Sequence, residues 1–526
     1  GLNVQGYVQM VGQGKHEAAL DIIMKDLPLP GVLGRICPHQ CEEACRRCEV
    51  DDPVAIRNLK RVAADQFDPR NVKIDCLPSR EEKVAIVGSG PAGLSAAYHL
   101  ARKGIFCTLF ESLSKPGGML RVGIPDHRLP QEILDQEIEI ITNLGQEIKV
   151  NTRLGVDFTV DDLFAEGYKA VYLAIGAHQG ISLQIPGEDA EGVRQGVDFL
   201  RELNLNGETK VGNRVSIIGG GNVAIDVALT ARRLGAKGVQ LYCLESREEM
   251  PAHAWEIARA EEEGVVINNG WGPVAVMGDG TATGLRFQKC ESVFDKEGNF
   301  NPLFDAEKTE KYDAAAIILA VGQTADLGYV DGQAAIKADK GRIAVSETLV
   351  SGDAAVFAGG DVVSGPDSII GAIAQGRKAA GAMDAYLGGD GNIDEVLATP
   401  EDEISLPPFL MEIAPRNEMG ILKPWERLIG FEQVEKGLID QGIADEAARC
   451  LNCDARKFEV VLNIENCKEC GYCTEVCNVG TFGPASIFNT KGYRPAEVKS
   501  SDWCVGCFKC YFSCPDFAID VAEVIA

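Results

Sequence analysis

The sequence predicts an α/β protein in which two nested dinucleotide-binding domains are flanked by a small helical module and a small α+β domain. Three observations support this class: a strand–glycine–helix–strand–acid pattern at 84–111, a second one at 215–245, and cysteines crowded near both ends of the chain. The expected domains are 1–80 (helical module), 81–205 with 330–395 (first dinucleotide domain), 206–329 (second dinucleotide domain), 396–455 (linker or helical segment) and 456–526 (α+β domain).

Length and composition are those of a multidomain globular protein. The 526 residues predict roughly three or four domains, and the 45% hydrophobic and 25% charged contents are typical of globular chains. No apolar run approaches the ~20 residues of a membrane span, and the N-terminus lacks a signal-peptide pattern. The net charge of −27 disfavours nucleic acid and anionic membranes as partners, because basic patches bind both. We therefore expect a cytoplasmic protein without membrane insertion.

The first nucleotide motif runs from a β-branched strand, Val84–Val87, into Gly88-x-Gly90-x-x-Gly93 and an alanine-rich helix. Gly88 permits a tight turn, Gly90 lets the backbone approach a pyrophosphate, and Gly93 lets helix and strand pack closely. The next strand ends at Glu111, which is placed to hold a ribose 2′-hydroxyl. This complete context favours a Rossmann-like dinucleotide site over an ordinary glycine-rich turn. The expected contacts are Gly88, Gly90, Pro91, Ala92, Gly93 and Glu111.

A second Rossmann-like unit repeats this order, with a strand before Gly219 and Gly221 and with Ala224 in the third glycine position, which tolerates alanine. The following strand ends at Glu245. An acid there favours a free ribose 2′-hydroxyl over a 2′-phosphate, so we expect NAD(H) rather than NADP(H). Arg247, two residues on, argues the other way, because arginine attracts a 2′-phosphate. The expected contacts are Gly219, Gly221, Asn222, Val223, Glu245 and Arg247.

Cysteines are concentrated near the N-terminus. Four of them lie within twelve residues, at Cys37, Cys41, Cys45 and Cys48. Clustering at metal spacing in a long chain indicates iron–sulfur ligation in a reducing compartment rather than a secreted disulfide framework. The density predicts a [4Fe–4S] cluster, with buried structural thiols as the alternative.

Two stretches of the N-terminal region stand out: Cys37-Pro38-x-x-Cys41-Glu42-x-x-Cys45 and Pro53–Arg61. Together with the first nucleotide motif they resemble the NAD(P)H-oxidising small subunit of glutamate synthase and its relatives, including the N-terminal half of dihydropyrimidine dehydrogenase. In that family further cysteines precede the first helix. The sequence begins at Gly1 without them, so either the chain is trimmed or a ligand is lost. The fourth cluster ligand stays open among Cys48, an upstream cysteine and a cysteine from elsewhere in the fold.

The resemblance implies FAD in the first nucleotide domain, with the second domain inserted in the first. It implies that Gly117 and Gly118 pass close to the flavin and that Gly360 and Asp361 contact its ribityl–pyrophosphate region; the alternatives are a plain loop and a solvated aspartate. Disulfide reductases with FAD carry a redox-active cysteine pair near 115–130, and the sequence has none there. The flavin is then expected to pass electrons to the cysteine-rich ends.

Residues 456–526 hold two complete ferredoxin-type cysteine runs, the second followed by Pro515, and predict a bacterial ferredoxin-like α+β domain with two [4Fe–4S] clusters. In such domains the fourth cysteine of each run ligates the other cluster. Tetrathiolate zinc is the alternative, which the doubled run disfavours. In the first run Asn478 replaces the proline without removing a ligand. One cluster is assigned to Cys467, Cys470, Cys473 and Cys514, and the other to Cys504, Cys507, Cys510 and Cys477.

Cys450 and Cys453 form a further C-x-x-C pair that serves a metal, completes the N-terminal cluster or is simply packed. Beyond this pair, the segments 489–498 and 514–519 resemble the ferredoxin-like delta subunit of 2-oxoacid:ferredoxin oxidoreductases. Joined to a flavoprotein of the glutamate synthase type, this resemblance implies an electron-transferring subunit between NAD(P)(H) and a catalytic partner. The expected partner is a thiamine-diphosphate-dependent 2-oxoacid oxidoreductase. No catalytic side chain is expected, because a flavin itself converts hydride into single electrons.

Three other functions are compatible with the same motifs. The first is a stand-alone NAD(P)H:ferredoxin oxidoreductase, whose partner is free ferredoxin. The second is the electron-input arm of a glutamate-synthase-like complex, which the ferredoxin-like tail disfavours. The third, from a different class, is an electron-carrying scaffold whose second nucleotide site stays empty. Adding NADH without oxygen distinguishes this scaffold from an enzyme, because only an enzyme bleaches its flavin.

Overall fold

The N-terminal module is helical. The computed structural model describes residues 2–329, 336–393, 413–451, 458–477, 480–501, 504 and 508–523, and within these ranges no helix has both the length and the apolarity to cross a membrane. The Asn3 side chain caps the first helix by accepting a hydrogen bond from the Gly6 N–H at 2.8 Å. The helices are α1 (Val4–Gly12), α2 (His16–Met24), α3 (Pro30–Ile36), α4 (Gln40–Glu43) and α5 (Ile56–Gln66), with 3₁₀ turns at Arg46–Glu49 and Pro69–Asn71.

Close packing joins the helices of this module to each other and to the next unit. At Gly34 of α3, an added Cβ would lie 2.7 Å from the Cα of Arg61 on α5. The Tyr98 hydroxyl, in the first nucleotide unit, donates to the carbonyl oxygen of Met24 at the end of α2 (2.6 Å). The apolar side chains of both parts form one continuous core, so the module is fixed against the first nucleotide unit.

The first nucleotide unit begins with a parallel strand–helix–strand arrangement. The elements of its first part are β1 (Lys83–Val87), α6 (Pro91–Arg102), β2 (Phe106–Phe110), α7 (Met119–Val122), α8 (Gln131–Asn143), β3 (Glu147–Lys149), α9 (Val160–Ala165), β4 (Ala170–Leu173) and β5 (Gln179–Gly180). β1 pairs in parallel with both β2 and β4. Because β1 is buried on both faces, its apolar run is continuous rather than alternating.

The second nucleotide unit repeats this arrangement and adds an antiparallel sheet. Its elements are β6 (Val193–Gln195), α10 (Gly196–Asn206), β7 (Arg214–Ile218), α11 (Asn222–Arg233), β8 (Gly238–Cys243), α12 (Ala254–Glu262), β9 (Val266–Asn269), β10 (Trp271–Met277), β11 (Gly284–Phe294), β12 (Phe300–Asp313) and β13 (Ala316–Leu319). The parallel sheet has the order β6-β13-β7-β8-β9, and the antiparallel sheet has the order β10-β11-β12.

The second unit starts before the predicted boundary at residue 206. β6 pairs in parallel with β13, and Phe199 and Leu200 of α10 are buried in the core of the second unit. α10 precedes the predicted boundary. Its buried residues belong to the core of the second unit, where it packs on α11, although it also contacts α7 of the first unit. The second unit therefore begins at residue 193.

The chain then returns to the first unit. The returning elements are β14 (Gln323–Thr324), β15 (Ala338–Asp339), β16 (Arg342–Ile343), β17 (Val356–Ala358), α13 (Asp361–Ser364) and α14 (Ile369–Tyr386). β17 completes the first parallel sheet, whose order is β17-β4-β1-β2-β3. α14 packs on α6 at Gly376, where a Cβ would lie 2.1 Å from the Ala92 carbonyl oxygen. The nested arrangement predicted from the sequence is confirmed.

Residues 413–451, which we call the strap, fold back on the helical module. The strap contains β18 (Gly420–Ile421), α15 (Pro424–Arg427), β19 (Glu435–Gly437) and α16 (Asp440–Ala448). Arg449, after α16, pairs with Asp51 of the module at 2.9 Å. Arg47 donates to the Arg449 carbonyl oxygen at 3.2 Å. This part of the predicted linker is therefore packed against the N-terminal module.

The strap also contacts the second nucleotide unit. Glu435 pairs with Arg57 of α5 at 3.0 Å and with Arg259 of α12 at 2.7 Å. The Val434 N–H donates to the His127 carbonyl oxygen of the first unit at 2.9 Å. One short strand of the strap thus connects the helical module to both nucleotide units.

The tail is an internal repeat. Its elements are β20 (Phe458–Leu462), α17 (Tyr472–Val476), β21 (Phe482–Pro484), β22 (Ala496–Val498), α18 (Lys509–Ser513) and β23 (Ile519–Glu523). β20 pairs with β23 and β21 with β22, both antiparallel. Cys467 and Cys477 of the first run recur 37 residues later as Cys504 and Cys514, and α17 recurs at the same interval as α18. The two short helices pack together, which brings the two cysteine runs side by side.

Gly93 and Ala224 hold equivalent positions in the two nucleotide motifs and allow a matched test of close helix–strand contact. At Gly93 a Cβ would lie 2.0 Å from the Gly88 carbonyl oxygen. We expect Gly93→Ala to lower the free energy of unfolding by roughly 1–3 kcal/mol through overpacking and to reduce the flavin content. The control Ala224→Gly should cost only roughly 0.5–1 kcal/mol. Urea unfolding and flavin content measure both variants, and equal effects would contradict the close-contact argument.

Candidate functional site

A cavity of about 310 Å³ lies at the carboxyl edge of the first parallel sheet. Ligand crevices of open α/β sheets lie at this edge. Gly93 and Gly117 are absent from the lining residues. The predicted contact residues that line the cavity are Gly88, Gly90, Pro91, Ala92, Glu111, Gly118, Gly360 and Asp361.

Two close approaches between backbone segments shape the cavity wall. Gly88 has a φ of +103°, and a Cβ there would lie 2.3 Å from the Ala174 carbonyl oxygen. A Cβ on Gly118 would lie 2.6 Å from the Cα of Gly90. The Gly117 N–H donates to the Ser89 carbonyl oxygen at 3.1 Å and so fixes this second approach. Backbone at the N-terminus of α6 therefore faces the cavity, an arrangement that suits a pyrophosphate.

Glu111 is buried at the end of β2 with its carboxylate held in place. One carboxylate oxygen accepts hydrogen bonds from the Ser89 N–H (3.0 Å) and from the Ser89 hydroxyl (2.5 Å). The other accepts a hydrogen bond from the Leu113 N–H at 2.8 Å. These bonds connect the acid to the glycine turn, so the carboxylate and the turn present one rigid edge to the cavity.

The second predicted FAD segment forms another wall. Gly360 has a φ of +75°, and a Cβ there would lie 3.0 Å from that of Ala92. Its N–H donates to the Gln375 side-chain oxygen of α14 at 2.7 Å. Burial raises the pKa of Asp361 to about 6; a hydrogen bond from the Asp367 backbone opposes this rise, and the Asp367 charge adds to it. Near that pH the Asp361 carboxyl group exists in both protonation states, so it can donate or accept a hydrogen bond.

Further side chains also line the cavity, and the sequence analysis did not predict them. Burial and the neighbouring Arg201 lower the pKa of His178, which keeps this imidazole neutral. No motif in the sequence marks these residues, and their distance to the glycine motif along the chain is large. The missed side chains include Thr152, Arg153, His178, Arg201 and Tyr329.

The second glycine motif has the geometry of the first. Gly219 has a φ of +136°, and a Cβ there would lie 2.2 Å from the Ala320 carbonyl oxygen. Among the described residues, no atom lies within 4 Å of a Cβ placed on Gly221, so the backbone before α11 is open to a ligand. Asn222 begins α11, and its side-chain oxygen accepts a hydrogen bond from the His253 N–H at 3.0 Å. Val223 follows in the first turn.

The acid of the second motif lies beside the glycine turn. A Cβ on Gly220 would lie 2.9 Å from the Glu245 carboxylate, which places that carboxylate at the mouth of the turn. Arg247 forms an exposed ion pair with Glu261 of α12 at 2.8 Å. Glu245 therefore lies nearer to the glycines than Arg247 does in its paired position, as expected of a ribose contact.

Loop 37–41 carries the first two N-terminal cysteines and packs against the second nucleotide unit. Cys37 is buried at the end of α3, and Cys41 lies in α4. Between them, the His39 ring lies 4.7 Å from that of Trp255, which stacks on His253 at 4.3 Å and 6°. The three neighbouring rings therefore connect this loop to His253, whose backbone N–H donates to the Asn222 side chain.

The strap brings Cys450 to the N-terminal cysteines. Burial raises the pKa of Tyr7, and Cys41, Glu42, Cys37 and Cys450 act in the same direction, so these four residues lie near one phenol. Cys48 is exposed, and its S–H donates to the Glu42 carbonyl oxygen at 3.6 Å. Cys45 and Cys450 both pack against the core of the module. Cys453 lies outside the described residues.

A second cavity, of about 430 Å³, lies in the tail. Four cysteines line it: Cys467, Cys470, Cys473 and Cys514. This is the quartet predicted from cross-ligation, and its thiol donors fit a cluster. Within the described part of the chain, no three His, Cys, Asp or Glu side chains lie close enough to hold a single metal ion. Cys477, Cys504 and Cys510 pack in the tail core, and Cys507 lies outside the described residues.

Backbone N–H groups point at three of the tail sulfurs. The Thr481 N–H donates to the Cys477 sulfur and the Ala518 N–H to the Cys514 sulfur, both at 3.3 Å. The Ala496 N–H donates to the Cys467 sulfur at 3.4 Å. Hydrogen bonds to ligand sulfurs tune the potentials of iron–sulfur clusters.

Comparison with known proteins finds two family models in the chain. Residues 82–376 match the pyridine nucleotide-disulphide oxidoreductase model. Residues 1–72 match the model described as dihydropyrimidine dehydrogenase domain II, 4Fe-4S cluster. The similarity to the glutamate synthase small subunit and to dihydropyrimidine dehydrogenase is thereby confirmed for the flavoprotein and N-terminal parts. The tail lies beyond both matched ranges.

Individual proteins of known name are also similar to this chain. The chain is 39% identical over 496 residues to the beta subunit of the NADP(+)-dependent formate dehydrogenase of Moorella thermoacetica, covering 86% of this chain and 69% of that protein. It is 32% identical over 407 residues to the small chain of the NADPH glutamate synthase of Escherichia coli, covering 73% and 86%. FprA of Mycobacterium tuberculosis shares the fold, with a TM-score of 0.52 at 20% identity over 59% of this chain and 85% of FprA.

Double variants can test cross-ligation in the tail. Cys467→Ala and Cys514→Ala remove ligands of the same predicted cluster, so the double variant should lose about four irons, no more than either single variant. Cys467→Ala with Cys477→Ala should lose about eight, because the two residues belong to different predicted clusters. Iron content of anaerobically purified protein measures the loss. Cys76→Ala, at an exposed site outside both runs, should retain all iron. Equal losses in the two double variants would contradict cross-ligation.

Glu245→Arg tests the ribose contact of the second motif. We expect kcat/KM to fall about tenfold with NADH and to rise about tenfold with NADPH, ~1.4 kcal/mol each, because a guanidinium attracts a 2′-phosphate. Steady-state kinetics with an artificial electron acceptor measures both. Glu248→Arg, an exposed acid in the same loop, is the control and should leave the preference unchanged. An unaltered preference in Glu245→Arg would remove Glu245 from the ribose site.

Proposed function

The chain belongs to the pyridine nucleotide-disulphide oxidoreductase family and is an FAD-dependent oxidoreductase with an iron–sulfur module. From that premise we propose that it transfers electrons between NAD(P)(H) and a catalytic partner subunit by way of FAD and [4Fe–4S] clusters. FAD is proposed for the cavity of the first unit, the nicotinamide cofactor for the second motif, and two clusters for the tail.

The observation that supports this proposal is the presence of both kinds of site in one chain. A backbone-walled cavity lies at the carboxyl edge of a parallel sheet, and a cysteine-lined cavity lies in the tail. Bound FAD would supply the conversion between a two-electron hydride and the single electrons that clusters take. The glycine turns bind pyrophosphates, Glu111 and Glu245 hold riboses, and the N–H donors to the cysteine sulfurs adjust cluster potentials.

For the N-terminal module we propose one further [4Fe–4S] cluster on Cys37, Cys41 and Cys45, with Cys450 of the strap as an added ligand. The proximity of Cys37, Cys41 and Cys450 to Tyr7 supports this set of ligands. Reduced thiol ligands need a reducing compartment, so we propose the cytoplasm as the location.

The proposed partner is the catalytic part of an oxidoreductase complex. The tail favours a thiamine-diphosphate-dependent 2-oxoacid oxidoreductase, because it resembles the delta subunit of such enzymes. The relative from Moorella thermoacetica is named as a formate dehydrogenase subunit, and its 39% identity favours a formate-oxidising partner as the second candidate. Subunits that co-purify with the native protein under anaerobic conditions decide between them.

NAD(H) is the proposed nucleotide, on the strength of Glu245 beside Gly220. Both named relatives use the phosphorylated nucleotide according to their names. The acid would repel a 2′-phosphate at this position, which is why the preference is proposed to differ here.

The proposed function predicts that NADH bleaches the flavin of the purified chain in the absence of oxygen and then reduces its clusters. Flavin absorbance and electron paramagnetic resonance measure the two steps. Gly219→Val should prevent bleaching at normal FAD content, because a side chain there meets the Ala320 carbonyl oxygen. Unchanged absorbance in FAD-loaded wild-type protein would instead support an electron-carrying scaffold with an empty nucleotide site.

A further inference from the structure

Lys60 is a buried cation in the middle of α5. Its exposed fraction is 5%, and lysine is rarely buried without a partner. Its neighbours on the helix are also buried, and each has a carboxylate: Arg57 pairs with Glu435 at 3.0 Å, and Arg61 pairs with Asp65 at 2.9 Å. Within the described residues, the Lys60 ammonium has no such ion pair.

The negative charges that act on Lys60 are led by those of two cysteines, and the carboxylates of Glu42 and Glu137 also lie within its reach. α5 packs against α3, which ends at Cys37, and against α4, which carries Cys41. The close crossing at Gly34 places the middle of α5 beside the end of α3. Burial lowers the pKa of Lys60, and Cys37 and Cys41 act most strongly against that shift.

We propose that Lys60 is a positioning residue of the N-terminal cluster, whose buried ammonium neutralises the thiolates of Cys37 and Cys41 and raises the reduction potential of that cluster. The inference rests on the proposed [4Fe–4S] cluster. A cluster gains one negative charge on reduction, and a nearby cation in a medium of low dielectric constant stabilises the reduced form. Lys60 thus makes the N-terminal cluster a better electron acceptor.

The test is a redox titration of Lys60→Gln followed by electron paramagnetic resonance, with iron content measured on the same samples. Loss of the charge should lower the equilibrium constant for one-electron reduction of the N-terminal cluster about tenfold, which corresponds to ~59 mV. Lys60→Arg keeps the charge and should restore the wild-type potential. The tail clusters serve as an internal standard and should not shift.

Lys73→Gln is the matched control, because Lys73 follows the same module and its side chain is 93% exposed. It should change neither potential nor iron content. Full iron content with an unshifted potential in Lys60→Gln would overturn the inference. If Lys60→Gln loses iron, Lys60→Arg decides: iron and potential at wild-type levels support the charge, whereas the same iron loss indicates a purely structural lysine. Wild-type protein with only about eight irons and no third signal would overturn the cluster itself.

Discussion

The close approach between a glycine Cα and a carbonyl oxygen at the end of each central strand is the constraint on which both nucleotide units depend. Gly88 meets the Ala174 carbonyl and Gly219 meets the Ala320 carbonyl at distances that no side chain tolerates. The turn sets where the following helix begins, so its free N–H groups point to the carboxyl edge of the sheet. This backbone geometry, which is formed twice in the chain, therefore determines where the helix begins and where the acid and the ligand crevice lie.

The strap fixes the helical module relative to the nucleotide units. Glu435 lies between Arg57 and Arg259, and Asp51 pairs with both Arg47 and Arg449. These charges are largely shielded from water, so removing one partner leaves the other uncompensated, which is far more costly than losing a surface ion pair. An electron route across several units requires fixed distances between them. A strap that pairs with the helical module and with the second unit provides that rigidity.

The motifs could be read from the sequence because their chemistry is local. Gly88 and Glu111 lie within one strand–helix–strand unit, and each tail cysteine run is shorter than a dozen residues. What the sequence did not predict depends on tertiary contacts. The start of the second unit at residue 193 follows from the packing of α10. The sequence left open whether Cys450 completes the N-terminal cluster, because Cys450 and Cys37 lie some four hundred residues apart in the chain. Loop residues such as His178 reach the cavity for the same reason.

The two halves of the tail share one backbone conformation at equivalent positions although the residues there differ. The spacing of the cysteines therefore accounts for this conformation better than the conformational preference of each residue does. Gly471 and Gly480 of the first half have φ values of +78° and +68°, and the equivalent Phe508 and Phe517 adopt +56° and +47°. A bulky residue at positive φ costs of order 1–3 kcal/mol, and helices of five residues between two-stranded sheets bury little apolar surface to offset that cost. Ligation of the proposed clusters would supply the compensating energy, because metal binding free energy becomes folding free energy in small domains. On the proposed function, the cysteines that would carry the tail's clusters would therefore also be the residues that order its backbone.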